Sequence, residues 1–195
     1  NFMSTIQSVV DEALRQKLHI ILNMHHHDTL MTNPTGEKAR FLSQWKQIAG
    51  HFKEYPDSLL FEILNEPHNK LTPTLWNDYL EEALQVIRKT NPKRCVLVGT
   101  AEWGGVGGLH SLVLPDDPQV ILTIHYYNPF QFTHQGASWS EGSDAWLGTQ
   151  WRDTEFERQA VEEDFKKTIR LAVEKNIPVH VGEFGAYSRA DIHSR

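Results

Sequence analysis

One cysteine, Cys95, stands in 195 residues, so no intrachain disulfide framework can hold this fold together. It lies in the apolar run 94–98, where a buried, unreactive thiol is the expectation. No apolar run approaches the roughly 20 residues needed to span a bilayer. A block of lysine and arginine is also missing, and the net charge is −6. Neither nucleic acid nor an anionic membrane is therefore expected as a partner. The acidic residues gather at 81–82 and 153–163, stretches that read as solvated helix faces. Asn1-Phe2-Met3-Ser4 has neither the charged nor the apolar region of a signal peptide. There is no internal repeat, low-complexity tract or interdomain linker. With 39% hydrophobic and 23% charged residues, the expectation is a single domain over residues 1–195 with a sizeable core.

What the chain does have is an alternation of periods. Residues 3–17 carry Ile6, Val9, Val10, Ala13 and Leu14 at helical spacing, with Ser4 and Thr5 as candidate N-caps. A strand is expected over 18–24, then a polar loop at 29–36 in which Asn33-Pro34 and Gly36 signal turns. Helical stripes follow at 37–55 (Phe41, Trp45, Ile48, Ala49, Phe52) and 72–90 (Leu75, Tyr79, Leu80, Ala83, Leu84, Ile87), the latter with Thr72 as N-cap. The spacing predicts further strands at 59–64, 94–100, 119–127 and 177–183. A last helix, 154–175, places Phe156, Ala160, Phe165, Ile169, Ala172 and Val173 on one side. Buried strands alternating with amphipathic helices indicate parallel βαβ units. Every strand ends in polar or aromatic residues, which puts the functional face at the strand C-termini.

Two of those strand ends share a design. Leu59 to Leu64 is a short apolar run that ends in Asn65-Glu66-Pro67, where Pro67 cannot continue the ladder and biases Glu66 toward extended backbone. Val179-His180-Val181-Gly182-Glu183 likewise delivers a glutamate at the end of a run expected to be buried. A carboxylate at the mouth of a buried parallel strand is where an α/β barrel keeps its chemistry. A pair of them is what a carboxylate-pair hydrolase needs. Three consecutive histidines, His25-His26-His27, end the first strand. Strand parity would put His25 and His27 on one face. Zinc is the alternative reading, but the spacing matches no established metal motif and no cysteine is near, so no metal and no cofactor is expected. Trp103, Trp139, Trp146 and Trp151 fall in or beside strand-end loops, where aromatic faces can serve as stacking platforms or simply pack. Glu62, on the parity of Glu66 but deeper, reads as a hydrogen-bonded interior group, while Glu102 and His180 stay open.

Ile63-Leu64-Asn65-Glu66-Pro67, His125-Tyr126-Tyr127, Val181-Gly182-Glu183-Phe184-Gly185 and the strand ending Asn23-Met24-His25-His26 together resemble the signatures of glycoside hydrolase family 5. The loop 128–139 is similar to that of bacterial endoglucanases in the family. The resemblance implies a (β/α)8 TIM barrel and a retaining, endo-acting hydrolase of β-1,4-glucan polysaccharides. Matched motif by motif, Glu66 would be the acid/base and Glu183 the nucleophile. Asn65 would bond the sugar 2-hydroxyl, Tyr127 would hold Glu183 with His125 beside it, and His25 would line the same site. Trp103 and Trp139 are the candidate stacking platforms. Secretion follows only from a polymeric substrate.

Against that resemblance the chain should supply about five strands, corresponding to barrel strands three to seven. The first two strands and the last, with a supporting arginine and a substrate-facing tryptophan, have no counterpart in it. Activity is accordingly expected to be weak or absent. Open sheet edges make a homo-oligomer the expected state. The alternative from another class is an inactive, carbohydrate-binding chain that self-associates.

Overall fold

In the computed structural model, which describes residues 2–195, the elements run α1 (Phe2–Arg15), β1 (Ile20–Asn23), α2 (Asp28–Thr32), α3 (Pro34–His51), β2 (Leu59–Glu62), α4 (Pro73–Arg88) and β3 (Val96–Gly99). A 3-10 segment (Val106–Ser111), β4 (Val120–Tyr126), a short α5 (Phe130–Thr133), a second 3-10 turn (Ser143–Trp146), α6 (Glu155–Lys175) and β5 (Val179–Phe184) complete the chain. The five strands form one parallel sheet in the order β1-β2-β3-β4-β5. These are the parallel βαβ units the alternating periods indicate, in the partial (β/α)8 arrangement the resemblance implies.

The core lies where α3 and α4 cover β2 and β3. Phe41 and Trp45 from α3 and Phe52 at its C-cap meet Trp76, Leu80 and Ile87 from α4 over Leu59, Phe61, Val96 and Val98, all buried. Two indoles do more than fill space. Trp45 Nε1 donates to Ile63 O at 2.9 Å and Trp76 Nε1 to Gly99 O at 2.9 Å, so helix side chains satisfy carbonyls at the strand ends. At the opposite end of the strands, buried Arg94 donates to the carbonyls of Phe52, Tyr55, Pro56 and Leu59 and to Asn91 Oδ1. One guanidinium thus ties the end of α3 to the entrances of β2 and β3.

Several expectations need correction. Residues 29–36 are not a polar loop. His27 caps α2 by accepting from Leu30 N, and Asn33 accepts from Gly36 N with Pro34 in the first turn of α3, so Asn33-Pro34 starts a helix. Burial of Leu30 and Met31 holds α2 in place. Ser4 and Thr5 lie inside α1, which starts at Phe2, and are not its caps. Thr72 and Thr154 do cap α4 and α6, the second in a full capping box with Glu157.

The stripe on α6 is only half used. Thr168 and Ala172 are buried and Phe165 packs on Tyr126 at 4.9 Å, while Phe156, Ile169 and Val173 are exposed. β5 is likewise not a buried strand, since among the described residues it pairs with β4 alone and leaves Val179 and Phe184 exposed. Cys95 is half-buried, with Sγ 3.7 Å from Gln119 Oε1. Among the described residues no helix is long and apolar enough to cross a membrane.

Candidate active site

The ends of β2, β4 and β5 bring Glu66, His125 and Glu183 together. One side-chain ligand atom from each lies within 4.8 Å of the others. His125 Nδ1 is 2.8 Å from Glu66 Oε1 and 3.5 Å from Glu183 Oε2. The Tyr127 hydroxyl donates to Glu183 Oε2 at 3.0 Å. The expected grouping of Glu66, Glu183, His125 and Tyr127 is therefore what the structure places at the strand ends.

A register shift explains how β5 contributes. Val181 pairs with Ile124, yet Glu183 pairs with His125, so Gly182 is an extra residue in the ladder. Such a bulge re-aims the residue after it. Without it Glu183 would stand opposite Tyr126 rather than His125. A Cβ on Gly182 would come within 2.9 Å of Thr123 Oγ1 and 3.3 Å of His125 Nε2, so any larger residue there would force one of them to shift. On the other side Gly104, at φ +70°, would set a Cβ 3.3 Å from the imidazole. The ring of His125 is thus held between two glycine backbones, and the His125 backbone N–H donates to Gly104 O at 2.9 Å.

Glu66 departs from the extended backbone that Pro67 favours: its φ is +45°, a left-handed conformation that costs a β-carbon residue energy. The turn is fixed by His68, whose Nδ1 lies 2.6 Å from Glu66 O. A carbonyl oxygen only accepts, so that nitrogen carries the hydrogen.

Burial acts on several of these groups. Desolvation lifts the Glu62 carboxyl to about 7, with nearby Glu183 raising it further and His125 opposing. Asn23 Nδ2 donates to Glu62 Oε2 at 2.9 Å, which makes Glu62 the hydrogen-bonded interior group that its parity implies. Burial lowers His125, but the bond to Glu66 and the charges of Glu183, Glu66 and Glu62 outweigh it and hold the imidazole above its ordinary value. Burial, then the bond to Glu183, pushes Tyr127 up to about 12, so its hydroxyl stays protonated at any working pH.

Above these groups lies a cavity of about 580 Å³ lined by Glu66, Trp103, His125, Tyr127, His134 and Trp139. It adjoins a second hollow that reaches Glu183 and Tyr187. Trp103 and Trp139 are both exposed and face this cleft, where the sequence expects platforms. Trp103 stacks on His68 with centroids 5.1 Å apart, and Trp139 meets Tyr187 edge-on at 4.8 Å. Asn65 is buried beside Glu66, and among the described residues its Oδ1 has no hydrogen-bond partner.

The histidine run behaves differently from its parity. β1 ends at Asn23, so the three residues leave the strand before they could share a face. His27 turns inward. Its Nδ1 accepts from Leu30 N and its Nε2 therefore donates to Gln44 Oε1 at 3.0 Å, which occupies both ring nitrogens. His25 and His26 are exposed, ring against ring at 4.6 Å, so the three do not converge as a zinc site would require. His25 follows the end of β1 and is exposed. Glu102 lines the cleft, at φ +63°. His180 sits below, with Nδ1 3.3 Å from Thr123 Oγ1.

His134, Phe130, Tyr187 and His68 were not singled out in the sequence. His134 is stacked on Phe130 at 3.9 Å and edge-on to Tyr127 at 5.1 Å. The run Thr133-His134-Gln135-Gly136 lies in the loop already similar to endoglucanases, which is the signal that could have found it.

The profile of the family described as Cellulase (glycosyl hydrolase family 5) matches residues 1–194. Endoglucanase H of Acetivibrio thermocellus is 37% identical over 194 residues, covering 100% of this chain and 20% of its own length. Endoglucanase A of Clostridium longisporum is 30% identical over 214 residues, covering 100% of this chain and 40% of its own. Structures of Thermotoga maritima Cel5A, in complex with cellobiose and with mannotriose, superpose with a TM-score of 0.97 at 47% identity. They cover 100% of this chain and 63% of theirs. The chain thus spans less than two thirds of each of these relatives.

Proposed function

The chain belongs to the cellulase family of glycosyl hydrolases, family 5, and from that membership and the cleft geometry we propose a retaining, endo-acting hydrolase of β-1,4-glucans. The observation that carries the reading is the carboxylate pair: one oxygen of Glu66 and one of Glu183 lie within 4.8 Å of each other. Retaining glycosidases hold their carboxyls about 5–5.5 Å apart, whereas inverting ones need roughly 6.5–9.5 Å to admit water between them.

In the proposed double displacement, Glu66 protonates the glycosidic oxygen as Glu183 attacks the anomeric carbon. The leaving sugar departs and a glycosyl ester forms on Glu183. Glu66, now ionised, takes a proton from the incoming water, which cleaves the ester with a second inversion. The Tyr127 hydroxyl donates to Glu183 and aims it, while His125 bridges both carboxyls. Asn65, with its unpartnered Oδ1, is the candidate partner for the sugar 2-hydroxyl. Trp103 and Trp139 offer stacking faces. Cellobiose and mannotriose bound to the Thermotoga maritima relative support β-1,4-linked hexose chains as the substrate class. Secretion belongs to the same proposal, because a polymer of this kind must be met outside the cell.

Hydrolysis of carboxymethylcellulose and of an aryl β-cellobioside by the wild type, Glu66→Gln and Glu183→Gln tests the reading. Turnover by the wild type that Glu183→Gln abolishes supports it. Glucan binding without turnover at high protein concentration would replace it with a carbohydrate-binding role. Self-association through the sheet edges is part of the proposal for this chain. It is motivated by β1 and β5 pairing on one side only and by the exposed Phe184.

A further inference from the structure

Glu66 and Trp103 come from different strand ends, yet one side chain touches both. His68 Nδ1–H donates to Glu66 O at 2.6 Å, and the same imidazole lies flat against the Trp103 indole, centroids 5.1 Å apart and planes 13° from parallel. The backbone repeats the link, since Trp103 N donates to Pro67 O at 3.2 Å. Both segments are held in left-handed backbone: Glu66 at φ +45° and Asn69 at +59° on one, Glu102 at +63°, Trp103 at +60° and Gly104 at +70° on the other. Residues with β-carbons stay in that region only where their surroundings over-determine them. At Glu66 that surrounding is His68 on the carbonyl and His125 on the carboxylate. At Trp103 it is the His68 ring behind the indole and Pro67 O on the amide.

We propose that His68 is a positioning residue that sets the acid/base carboxyl and the sugar-stacking tryptophan relative to one another, through its Nδ1–H to Glu66 O and its ring against Trp103. The role rests on the hydrolase reading above. The two halves of the imidazole do separate jobs. The hydrogen bond fixes the peptide that aims Glu66 and so acts on the chemical step, whereas the ring face fixes the indole and so acts on sugar binding.

Two substitutions in the full chain divide the jobs. His68→Phe keeps a ring for Trp103 but has no donor for Glu66 O. His68→Asn keeps an amide N–H near the Nδ1 position but has no ring. Steady-state hydrolysis of an aryl β-cellobioside is measured alongside cellotetraose binding by tryptophan fluorescence. For His68→Phe, kcat is expected to fall roughly 10- to 100-fold with KM nearly unchanged, the size of effect that a small misplacement of a reacting group produces. For His68→Asn, the dissociation constant and KM are expected to rise about 3- to 10-fold with kcat largely kept, as loss of one aromatic pair implies. If the wild type turns over substrate and both variants match it, the His68 role is overturned and the hydrolase reading stands. Parallel losses of kcat and affinity in both variants, tracking lowered melting temperatures, overturn it too by reducing His68 to a fold contact. A wild type that neither binds nor cleaves removes the hydrolase reading and this role with it.

Discussion

At the scale of single residues, the candidate site is a balance of three carboxyls around one imidazole. His125 touches Glu66 and Glu183 and feels Glu62 beneath them. Glu62 carries a consequence for stability, since burial lifts it from an ordinary 4.5 to about 7. Between those values the folded chain holds a proton that the unfolded chain has released, so stability falls as pH rises through this window and levels off above it. The full effect is about 3 kcal/mol, because each tenfold change in proton affinity is worth roughly 1.4 kcal/mol. Glu62→Gln, which still accepts from Asn23, is expected to flatten that fall between pH 5 and 8 in urea melts. An unchanged slope would show that Glu62 is not the group responsible. Tyr127→Phe removes a hydrogen bond to a charged acceptor, worth roughly 1.5–3 kcal/mol. It should lower kcat on an aryl β-cellobioside about 10- to 100-fold, and an undiminished kcat would dismiss Tyr127 as the support of Glu183. These residues were legible because each sits in a short motif at a strand end. His25 and His27 do not share a face because strand parity ends with β1 at Asn23. His68 was missed because its part is played through backbone geometry, and a left-handed Glu66 before proline runs against the local preference.

At the scale of elements, the bulge at Gly182 turns an ordinary strand end into one that serves the cleft. Gly182→Ala would drive a methyl against Thr123 and the His125 ring, and one of them must move. We expect at least a tenfold loss of kcat, in line with the cost of about 1 Å of misplacement, from a chain that still melts cooperatively. Full activity in that variant would mean the β4–β5 register is not what positions Glu183. Arg94 makes the opposite kind of contribution, being remote from the cleft. Arg94→Leu strands the carbonyls of Phe52, Tyr55, Pro56 and Leu59 that it now serves. It should destabilise the chain by roughly 3 kcal/mol in urea unfolding, the scale of orphaned buried polar groups, and a loss under about 1 kcal/mol would argue that water replaces it. Period and length were enough to find β1 to β5 and the helices α1, α3, α4 and α6. Neither the bulge nor α2 could be read that way. The bulge is set by close approach across strands, and α2 is held by a histidine cap and two buried side chains in a stretch whose Asn33-Pro34 resembles a turn. The loop 128–152 is long and irregular in sequence because its order comes from side-chain bonds. Gln135 alone binds Phe132 O, Thr149 O and Gly148 N.

At the scale of the whole molecule, five parallel strands present their C-terminal ends to one face, and both glutamates, Trp103, Trp139 and His125 lie there. Fold class was legible because βαβ alternation admits few topologies. The exposure of β5 and of one flank of α6 was not, since apolar spacing gives a face but not what covers it. Exposed Phe156, Ile169, Val173 and Phe184 lead us to expect association, so light scattering across micromolar concentrations should give a mass above that of a 22.5 kDa monomer. A monomeric mass throughout that range would rule self-association out. The central claim is that the closely spaced pair works by double displacement through Glu183. Its most direct measurement is proton NMR of the first sugar released from a β-cellobioside, before mutarotation, with Glu183→Gln run beside the wild type. Double displacement predicts that the β-anomer appears first and that Glu183→Gln releases nothing. An α-anomer first, or turnover that survives Glu183→Gln, would contradict it.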